Sequence, residues 1–285
     1  MGNCSLHNTD AATVAGFGRE WARFTQDALS PEENREIFQQ YFSIFPWDIL
    51  PKGGGCGADI GCGSGRWARA VAPRVMQLHL VDASSEALQV ARAKLSSLRN
   101  VKFHHASAGD LPFENRSLDF AYSLGVLHHI PDPEAALRCI ASTLKPGAPF
   151  LLYLYYAFDN RPPWYRWLWR LSDLARRGLS RQPQWLKVTV AEMVALGIYW
   201  PLARMASLLD RVGAGSKNWP LAYYSDRSLY VMRTDALDRL GTRLEQRFTR
   251  GQITAMLERA GFEKVRFSEG PPFWCAAGLR RADTA

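Results

Sequence analysis

The sequence contains little cysteine and no pattern of metal ligands. Its five cysteines are scattered over 285 residues and include no C-x-x-C pair. An odd and scattered set of this kind predicts neither a disulfide framework nor a zinc site. The histidines and carboxylates also lack ligand spacing, so we expect no metal. This cysteine usage favours a reducing compartment, and we expect a cytoplasmic protein.

Long hydrophobic runs and a targeting segment are also lacking. Polar residues interrupt the first ten positions, so the pattern of a secretory signal is not expected there. The uncharged apolar stretch 193–203 is flanked by Glu192 and Arg204, and it is too short to span a bilayer. At 285 residues the chain suits one large α/β domain, or a domain plus a sizeable insertion. Its 47% hydrophobic and 22% charged residues are an ordinary composition for a soluble protein.

Positive charge is concentrated in one part of the chain. Residues 161–217 carry ten basic and three acidic side chains, a net +7 out of the +8 of the whole sequence. The remainder is therefore close to neutral. Basic character alone permits an anionic small substrate, a membrane surface or a nucleic acid.

A glycine-rich stretch at 58–68, Ala-Asp-Ile-Gly-Cys-Gly-Ser-Gly-Arg-Trp-Ala, carries the strongest functional signal. Glycine lets the backbone take positive φ and approach a ligand, and the next helix supplies unpaired N–H groups. Arg66 stands where the dinucleotide fingerprint G-x-G-x-x-G has its last glycine, so a dehydrogenase is disfavoured. A second predicted strand ends at Asp82, 23 residues after Asp59, where a carboxylate can bind ribose hydroxyls.

Three later segments decide which nucleoside is expected. They are Ala-Gly-Asp-Leu-Pro-Phe at 108–113 leading into 117–122, Ser-Leu-Gly-Val-Leu-His-His-Ile at 123–130, and Leu-Lys-Pro-Gly-Ala-Pro at 144–149. Together with the glycine stretch they resemble class I S-adenosylmethionine (SAM) methyltransferases, especially the branch that methylates quinones, sugars and lipids. The resemblance covers about 55–156, and more loosely 262–278. It implies SAM as the cofactor and S-adenosylhomocysteine as its product.

The alternation of short apolar strands with helices predicts an α/β fold with a doubly wound, mostly parallel sheet. The resemblance implies seven strands in a Rossmann-like arrangement, with N-terminal helices and a helical cap insertion. We predict four parts: an N-terminal helical lid at 1–50, a SAM-binding core at 51–156, a Trp- and Arg-rich cap at 157–248, and a C-terminal helix and hairpin at 249–285. Residues 1–12 are expected to be mobile.

The resemblance assigns the site residue by residue. Asp59 and the glycine turn would support the methionine part of SAM, Asp82 its ribose, Ser107 and Ala108 its adenine, and the Leu124 region its sulfonium. Ser107 stands where the family often has Asp, so the adenine contact is weakened. The predicted cofactor-binding residues are Trp21, Asp59, Gly61, Cys62, Gly63, Gly65, Asp82, Ala83, Ser107, Ala108, Ser123, Leu124 and Gly125.

Two residues are candidates for general acid–base catalysis on the acceptor. His128 follows the fourth predicted strand, beside the expected methyl position, and Tyr156 leaves the fifth strand toward the acceptor side. An O-acceptor needs a base of suitable pKa, whereas alignment alone can suffice for other acceptors. A His-His-Ile-Pro loop can also be purely structural.

Aromatic residues in two predicted helical regions leave alternatives open. Phe17, Trp21 and Phe24 share a helix face that either packs on the core or closes over the cofactor. In the cap, Trp164, Trp167 and three leucines form a stripe that either is the core of the cap or covers an amphiphilic acceptor or a membrane surface.

The leading hypothesis is methyl transfer from SAM to an O or C atom of a small or lipid-like acceptor, which the charge allows to be anionic. Peripheral membrane contact is a further expectation. RNA methylation is an alternative, but no RNA-binding module is recognisable and nucleic acid is not the expected partner. A SAM-binding scaffold without turnover is the other alternative, and the oligomeric state is left open.

Overall fold

The computed structural model describes residues 8–23, 29–213, 215–216 and 219–282. The chain divides into two compact units. The first comprises Met1–Thr25, Arg35–Ala157 and Leu244–Ala285, and the second comprises Gln26–Asn34 and Phe158–Arg243. Residues 244–248, which the sequence assigned to the cap, belong to the first unit.

The elements alternate along the first unit as the sequence pattern indicates. The strands are β1 Cys56–Ile60, β2 Gln77–Asp82, β3 Val101–His105, β4 Phe120–Leu124, β5 Pro149–Tyr153, β6 Phe262–Phe267 and β7 Cys275–Arg280. The helices are α1 Ala11–Arg23, α2 Pro31–Phe42, α3 Ala68–Val71, α4 Ser85–Lys94, α5 Pro133–Thr143, α6 Pro163–Leu179, α7 Gln184–Val194, α8 Trp200–Arg211, α9 Leu229–Gly241 and α10 Arg250–Arg259. Helices α6 to α9 form the second unit.

The seven strands form one sheet in the order β3-β2-β1-β4-β5-β7-β6. All neighbours are parallel except β7, which runs antiparallel to both β5 and β6. The chain reverses direction across the sheet between β1 and β4, and this switch point is where open α/β sheets bind ligands. The predicted fold class is confirmed.

Local capping fixes where the helices of the first unit begin. The Ser84 hydroxyl accepts from Ala87 N at the start of α4, and the Asp132 carboxylate accepts from Ala135 N at the start of α5. Each cap satisfies one of the N–H groups that a helix start leaves without a partner.

The N-terminal helix begins earlier than the sequence indicated. The Asp10 carboxylate accepts from Thr13 N at 2.7 Å, and α1 starts at Ala11. The expectation of a mobile start is therefore wrong for residues 11 and 12. Phe24 and residues 1–7 lie outside the described residues.

The core of the first unit lies between the sheet and the helices α5 and α10. Its fully buried residues come from β1, β4, β5 and the facing sides of both helices, and include Ile60, Phe150, Leu137 and Ile253. Cys56, Cys62 and Cys275 are free thiols, whereas Cys139 is disulfide-bonded. The sequence predicted no disulfide framework, and the disulfide at Cys139 departs from that expectation.

Helix α6 of the second unit exposes its apolar face. Five large apolar side chains are 46–71% exposed: Trp164, Trp167, Leu168, Leu171 and Leu174. Its buried residues are Asp173 and Arg176, and the Arg176 guanidinium donates to Asp173 Oδ1 at 2.6 Å and to the carbonyl of Thr242 at 2.8 Å. The interpretation of the stripe as the core of the cap is therefore wrong for α6.

The helices α7 and α8 join through a π-helical turn, Ala195–Tyr199, into one run of 28 residues, Gln184–Arg211. Among the described residues, this run is the one helix long and apolar enough to cross a membrane, by length and composition alone. About a fifth of its most apolar window is buried (22%). The sequence had treated only its central part as an apolar stretch.

Candidate cofactor site

The glycine turn after β1 depends on glycine at two close approaches. Gly61 has φ +79°, and a Cβ there would lie 2.4 Å from Val126 Cγ1. Gly63 has φ +52°, and a Cβ there would lie 2.8 Å from Trp21 Cε2. Since only glycine adopts such conformations at low cost, the turn brings its backbone against the loop after β4 and the indole of α1.

Asp82 ends β2 with its carboxylate held from both sides. Its Oδ2 accepts from Gly63 N at 2.8 Å, and its Oδ1 accepts from Ser84 N at 2.8 Å. Burial raises the pKa of this carboxyl, and the two backbone donors counter that effect. Each carboxylate oxygen accepts more than one hydrogen bond, so the fixed group can still bind a ligand hydroxyl.

A pocket of about 110 Å³, which we call the strand-end pocket, opens at this edge of the sheet. Its walls come from α1 and the segment before it, the glycine turn, and the residues at and after the ends of β2, β3 and β4: Thr9, Thr13, Val14, Phe17, Trp21, Gly61, Asp82, Ala83, Ser84, Ala106, Ser107, Ala108, Leu124, Gly125, Val126, His129 and Ile130. Parallel strands meet at their carboxyl ends, which explains why residues far apart in sequence share one wall.

Eight of the predicted cofactor-binding residues line this pocket: Trp21, Gly61, Asp82, Ala83, Ser107, Ala108, Leu124 and Gly125. The other five do not line it: Asp59, Cys62, Gly63, Gly65 and Ser123. Gly63 nevertheless contributes by binding Asp82 and packing on Trp21. Ser123 is buried and donates to the carbonyl of Ile60, so it joins β4 to β1.

The contribution of α1 was largely missed from the sequence. Thr13, Phe17 and Trp21 of α1 line the pocket, together with Thr9 from the segment before it, and the three helical residues recur at every fourth position, on one helix face. Only Trp21 was assigned to the site, although Phe17 had been placed on the same face and the spacing extends to Thr13. A Cβ at Gly18 would lie 2.7 Å from Ser84 Oγ, so α1 packs closely against the start of α4.

Asp59 lies behind the pocket in an apolar setting. It is 1% exposed and pairs across the sheet with Leu80 and Tyr122. Burial raises the pKa of Asp59 to about 8, the neighbouring hydroxyl of Tyr122 lowers it, and the charge of Asp82 raises it further. Its Oδ2 has no hydrogen-bonding partner of good geometry among the described residues. A cation reaching this oxygen would stabilise the charged form.

The histidines after β4 have different environments. His128 is fully buried, its ring stacks on Tyr155 at 3.9 Å between centroids, and burial together with the charges of His129 and Arg247 lowers its pKa well below the usual range. His129 instead lines the pocket, with Nδ1 2.7 Å from the carbonyl of Leu244. Because a carbonyl only accepts, Nδ1 carries the proton in the neutral ring and Nε2 carries the lone pair.

The structure therefore does not bring His128 to the pocket wall. Tyr156 also lies elsewhere, since it bridges to Phe248 and its ring packs on Phe273 at 5.7 Å. The catalytic roles of His128 and Tyr156 stay predictions. The histidine that lines the pocket is His129. Among the residues that the structure describes, no group of three or more His, Cys, Asp or Glu side chains could hold a metal ion.

The donor set of the pocket suits a nucleoside cofactor. The glycines of the turn let Val126 and Trp21 pack directly on the backbone, and Asp82 offers a fixed carboxylate at the wall. The wall from α1 and the post-β4 loop is mainly apolar, with Val14, Phe17 and Ile130 facing the same space.

Comparison with known proteins points to the same chemistry. Residues 58–152 match the family described as a methyltransferase domain. Phosphoethanolamine N-methyltransferase 2 of Caenorhabditis elegans is 32% identical over 142 residues, which are 48% of this chain and 31% of that protein. Demethylmenaquinone methyltransferase of Staphylococcus aureus is 36% identical over 92 residues, which are 31% of this chain and 38% of that protein.

The chain thus spans less than two fifths of the length of these two curated relatives. A solved SAM-dependent methyltransferase from Methanosarcina mazei is 18% identical and has a TM-score of 0.51, and the match covers 83% of this chain and 96% of that one. At that identity the likeness shows the fold. Family match, sheet order and pocket agree: residues 58–152 match the methyltransferase domain family, and the sheet has the class I SAM-dependent methyltransferase fold.

Proposed function

We propose that the protein transfers a methyl group from SAM to an O or C atom of a small or amphiphilic acceptor and releases S-adenosylhomocysteine. One observation carries most of the proposal. The Asp82 carboxylate is held between Gly63 N and Ser84 N at the wall of the strand-end pocket, within the domain that the family match covers. A carboxylate fixed in this way is suited to the vicinal hydroxyls of a ribose.

When bound, SAM supplies an activated methyl on a sulfonium, so the chain mainly has to bind, orient and exclude water. Asp82 accepts hydrogen bonds from the ribose, and Ser107 and Ala108 form the wall beside it where the adenine would lie. The glycine turn presents backbone to the methionine part. Trp21 covers the turn, because its indole packs on Gly63, and so limits access of water.

On the acceptor side, His129 is the residue with acid–base capacity. The Leu244 carbonyl accepts from its Nδ1–H and so orients the ring at the pocket wall, where it is the candidate to take a proton from an acceptor hydroxyl. The aromatic ring of Phe17 lies 4.9 Å from the His129 ring, centroid to centroid. An apolar neighbour of this kind suits an acceptor with an apolar body.

The acceptor class rests on the lining of the pocket and on the relatives. Val14, Phe17 and Ile130 give it an apolar wall. One relative is named for demethylmenaquinone, which supports an amphiphilic acceptor, and another for phosphoethanolamine, which supports a small anionic one. The name of the second relative specifies N-methylation, so it supports the size and charge of the acceptor and not the O or C atom of the proposal.

The proposal is tested with purified protein, SAM carrying a labelled methyl group, and fractionated cell extract. Label in a lipid or small-molecule fraction supports it, whereas label in RNA replaces it with the nucleic-acid alternative. Measurable SAM binding without label in any fraction favours a non-catalytic SAM-binding protein. Asp82→Ala should abolish the transfer, and Glu134→Ala, which removes a surface carboxylate paired with Arg259, serves as the matched control.

A further inference from the structure

The second unit carries an apolar face that none of its described residues covers. Thirteen of the fifteen large apolar side chains exposed among the described residues lie between Trp164 and Val212, and the other two are Ile49 and Met76. Single exposed apolar residues are ordinary on soluble proteins, but clusters of this kind mark a binding surface. We propose that this face, formed by the outer sides of α6 and of the run Gln184–Arg211, docks on the surface of an anionic lipid bilayer.

Helix α6 has the composition and orientation of a helix that lies in the interface of a membrane. Trp164, Trp167, Leu168, Leu171 and Leu174 are its outward apolar residues, 46–71% exposed. Its two buried residues are instead the ion pair of Asp173 and Arg176. A water-soluble helix normally has the opposite arrangement. Solvent is therefore the less favourable environment for the outer side of α6.

The run Gln184–Arg211 repeats this arrangement over a greater length. Small and polar residues face inward at Lys187, Ala191, Ala195, Ala203 and Ala206. Large apolar residues face outward, 47–68% exposed, at Trp185, Met193, Leu196, Ile198, Trp200, Met205 and Leu208. Tryptophan prefers the boundary between lipid tails and head groups, and four tryptophans of the two elements are exposed: Trp164, Trp167, Trp185 and Trp200.

Side-chain contacts hold this run within its unit, which favours lying on a bilayer over crossing it. Arg233 donates to both carboxylate oxygens of Glu192 at 2.5 and 2.7 Å. Lys187 Nζ donates to the carbonyl of Gly241 at 3.2 Å, and Arg204 donates to the carbonyl of Arg227 at 2.9 Å. If the run crossed a bilayer, these charged side chains would either lose their partners in the unit or lie in hydrocarbon with them. Both outcomes cost free energy.

Charge selects an anionic surface over a neutral one. Residues 158–243 carry fourteen basic and seven acidic side chains, a net +7. Arg166, Arg170, Arg177 and Arg181 are exposed on or just after α6, and the Arg170 guanidinium lies 4.9 Å from the centre of the Trp167 ring. Exposed arginines beside apolar residues attract anionic lipid head groups while the apolar residues enter the interface.

This inference does not depend on the transfer reaction, and its test needs no SAM. The full chain is sedimented with vesicles of phosphatidylcholine alone or of phosphatidylcholine and phosphatidylglycerol in equal parts, in 0.1 M salt. We expect at least about tenfold stronger partition onto the anionic vesicles, weakening as salt is raised. Leu171→Ser/Leu174→Ser and Trp185→Ser/Leu208→Ser should each weaken partition about tenfold or more, since binding scales with buried apolar area.

The matched control is Ile49→Ser/Met76→Ser, which removes two exposed apolar residues of the first unit. It should partition as the wild type does, and thermal unfolding checks that all variants fold. Equal weakening in control and test variants, or no binding by the wild type, overturns the proposal. Retention after an alkaline carbonate wash overturns it in favour of a membrane span. Self-association that the leucine variants abolish, without vesicle binding, replaces it with an interface between copies of the chain.

Discussion

The backbone N–H of Gly63 donates a 2.8 Å hydrogen bond to Oδ2 of Asp82. This bond joins the glycine turn after β1 to the end of β2, so the two sequence motifs of the core form one structural unit. The other oxygen of the carboxylate accepts from Ser84 N at the start of α4. The side chain expected to bind ribose therefore also holds the turn in place.

Asp82→Ala should raise the Kd for SAM at least tenfold, which is about 1.4 kcal/mol. The variant loses the ribose acceptor and also releases Gly63 N and Ser84 N from their shared partner. Isothermal calorimetry measures the change. Glu134→Ala should leave the Kd unaltered, and an unaltered Kd for Asp82→Ala would remove this residue from the site.

Gly63→Ala and Trp21→Ala should show coupled effects on SAM binding. The added methyl would lie 2.8 Å from Trp21 Cε2, so it displaces the indole. Each single substitution should weaken binding several-fold. In the Trp21→Ala background Gly63→Ala should have a smaller effect, because only the strain of φ +52° remains. Strictly additive effects in the double-mutant cycle would contradict the contact between lid and turn.

Asp59→Asn should reduce the loss of stability between pH 5 and pH 8. The folded pKa of Asp59, about 8, lies above the usual value of 3.8. Throughout this window the unfolded chain is already largely deprotonated while the native state keeps the proton, so stability falls as pH rises. The asparagine cannot ionise, and the difference in unfolding free energy between the two pH values should shrink by about 1 kcal/mol or more.

Glu86→Gln is the control for this experiment. Hydrogen bonds from Ser84 and Ser85 contribute to a lowered pKa at Glu86, so its titration lies below the window. It should keep the wild-type difference between pH 5 and pH 8. If Asp59→Asn also keeps the wild-type difference in unfolding free energy between pH 5 and pH 8, Asp59 is ionised in the native state at neutral pH.

His129→Gln should lower kcat for a hydroxyl acceptor about a hundredfold or more, with a SAM Kd within about twofold of the wild type. The reason is that His129 lines the pocket while its Nδ1 is held by Leu244. His128→Gln changes a buried ring that stacks on Tyr155, and it should reduce thermal stability more than kcat. The reverse result would assign the base to His128, as the sequence predicted.

Asp173→Ala should destabilise the second unit by about 3 kcal/mol, because it leaves the buried guanidinium of Arg176 without its carboxylate. Arg177 binds the other oxygen of Asp173 but is 66% exposed. Arg177→Ala should therefore change stability by less than about 1 kcal/mol. Hydrogen exchange in 158–243 measures both losses of stability. Equal losses would show that the burial of Arg176 does not set the strength of its ion pair with Asp173.

Much of the core was readable from sequence because its signals are local. The glycines at 61, 63 and 65, the carboxylates at 59 and 82, and the caps at Ser84 and Asp132 each act within a few residues of their position. Strand and helix alternation fixed the fold class, since parallel strands need crossover helices between them. The residues at strand ends followed from the same reasoning.

The sequence alone thus determined the sheet, the glycine turn and the place of Asp82 at the wall of the pocket. Tertiary structure decided which side of each helix is covered and which of two adjacent histidines reaches the pocket. Periodicity shows that Trp167, Leu171 and Leu174 share a face, but burial depends on what packs there, and α6 packs through Asp173 and Arg176 instead. His128 and His129 are neighbours in sequence, yet the packing of Tyr155 against one and of Phe17 against the other separates their environments.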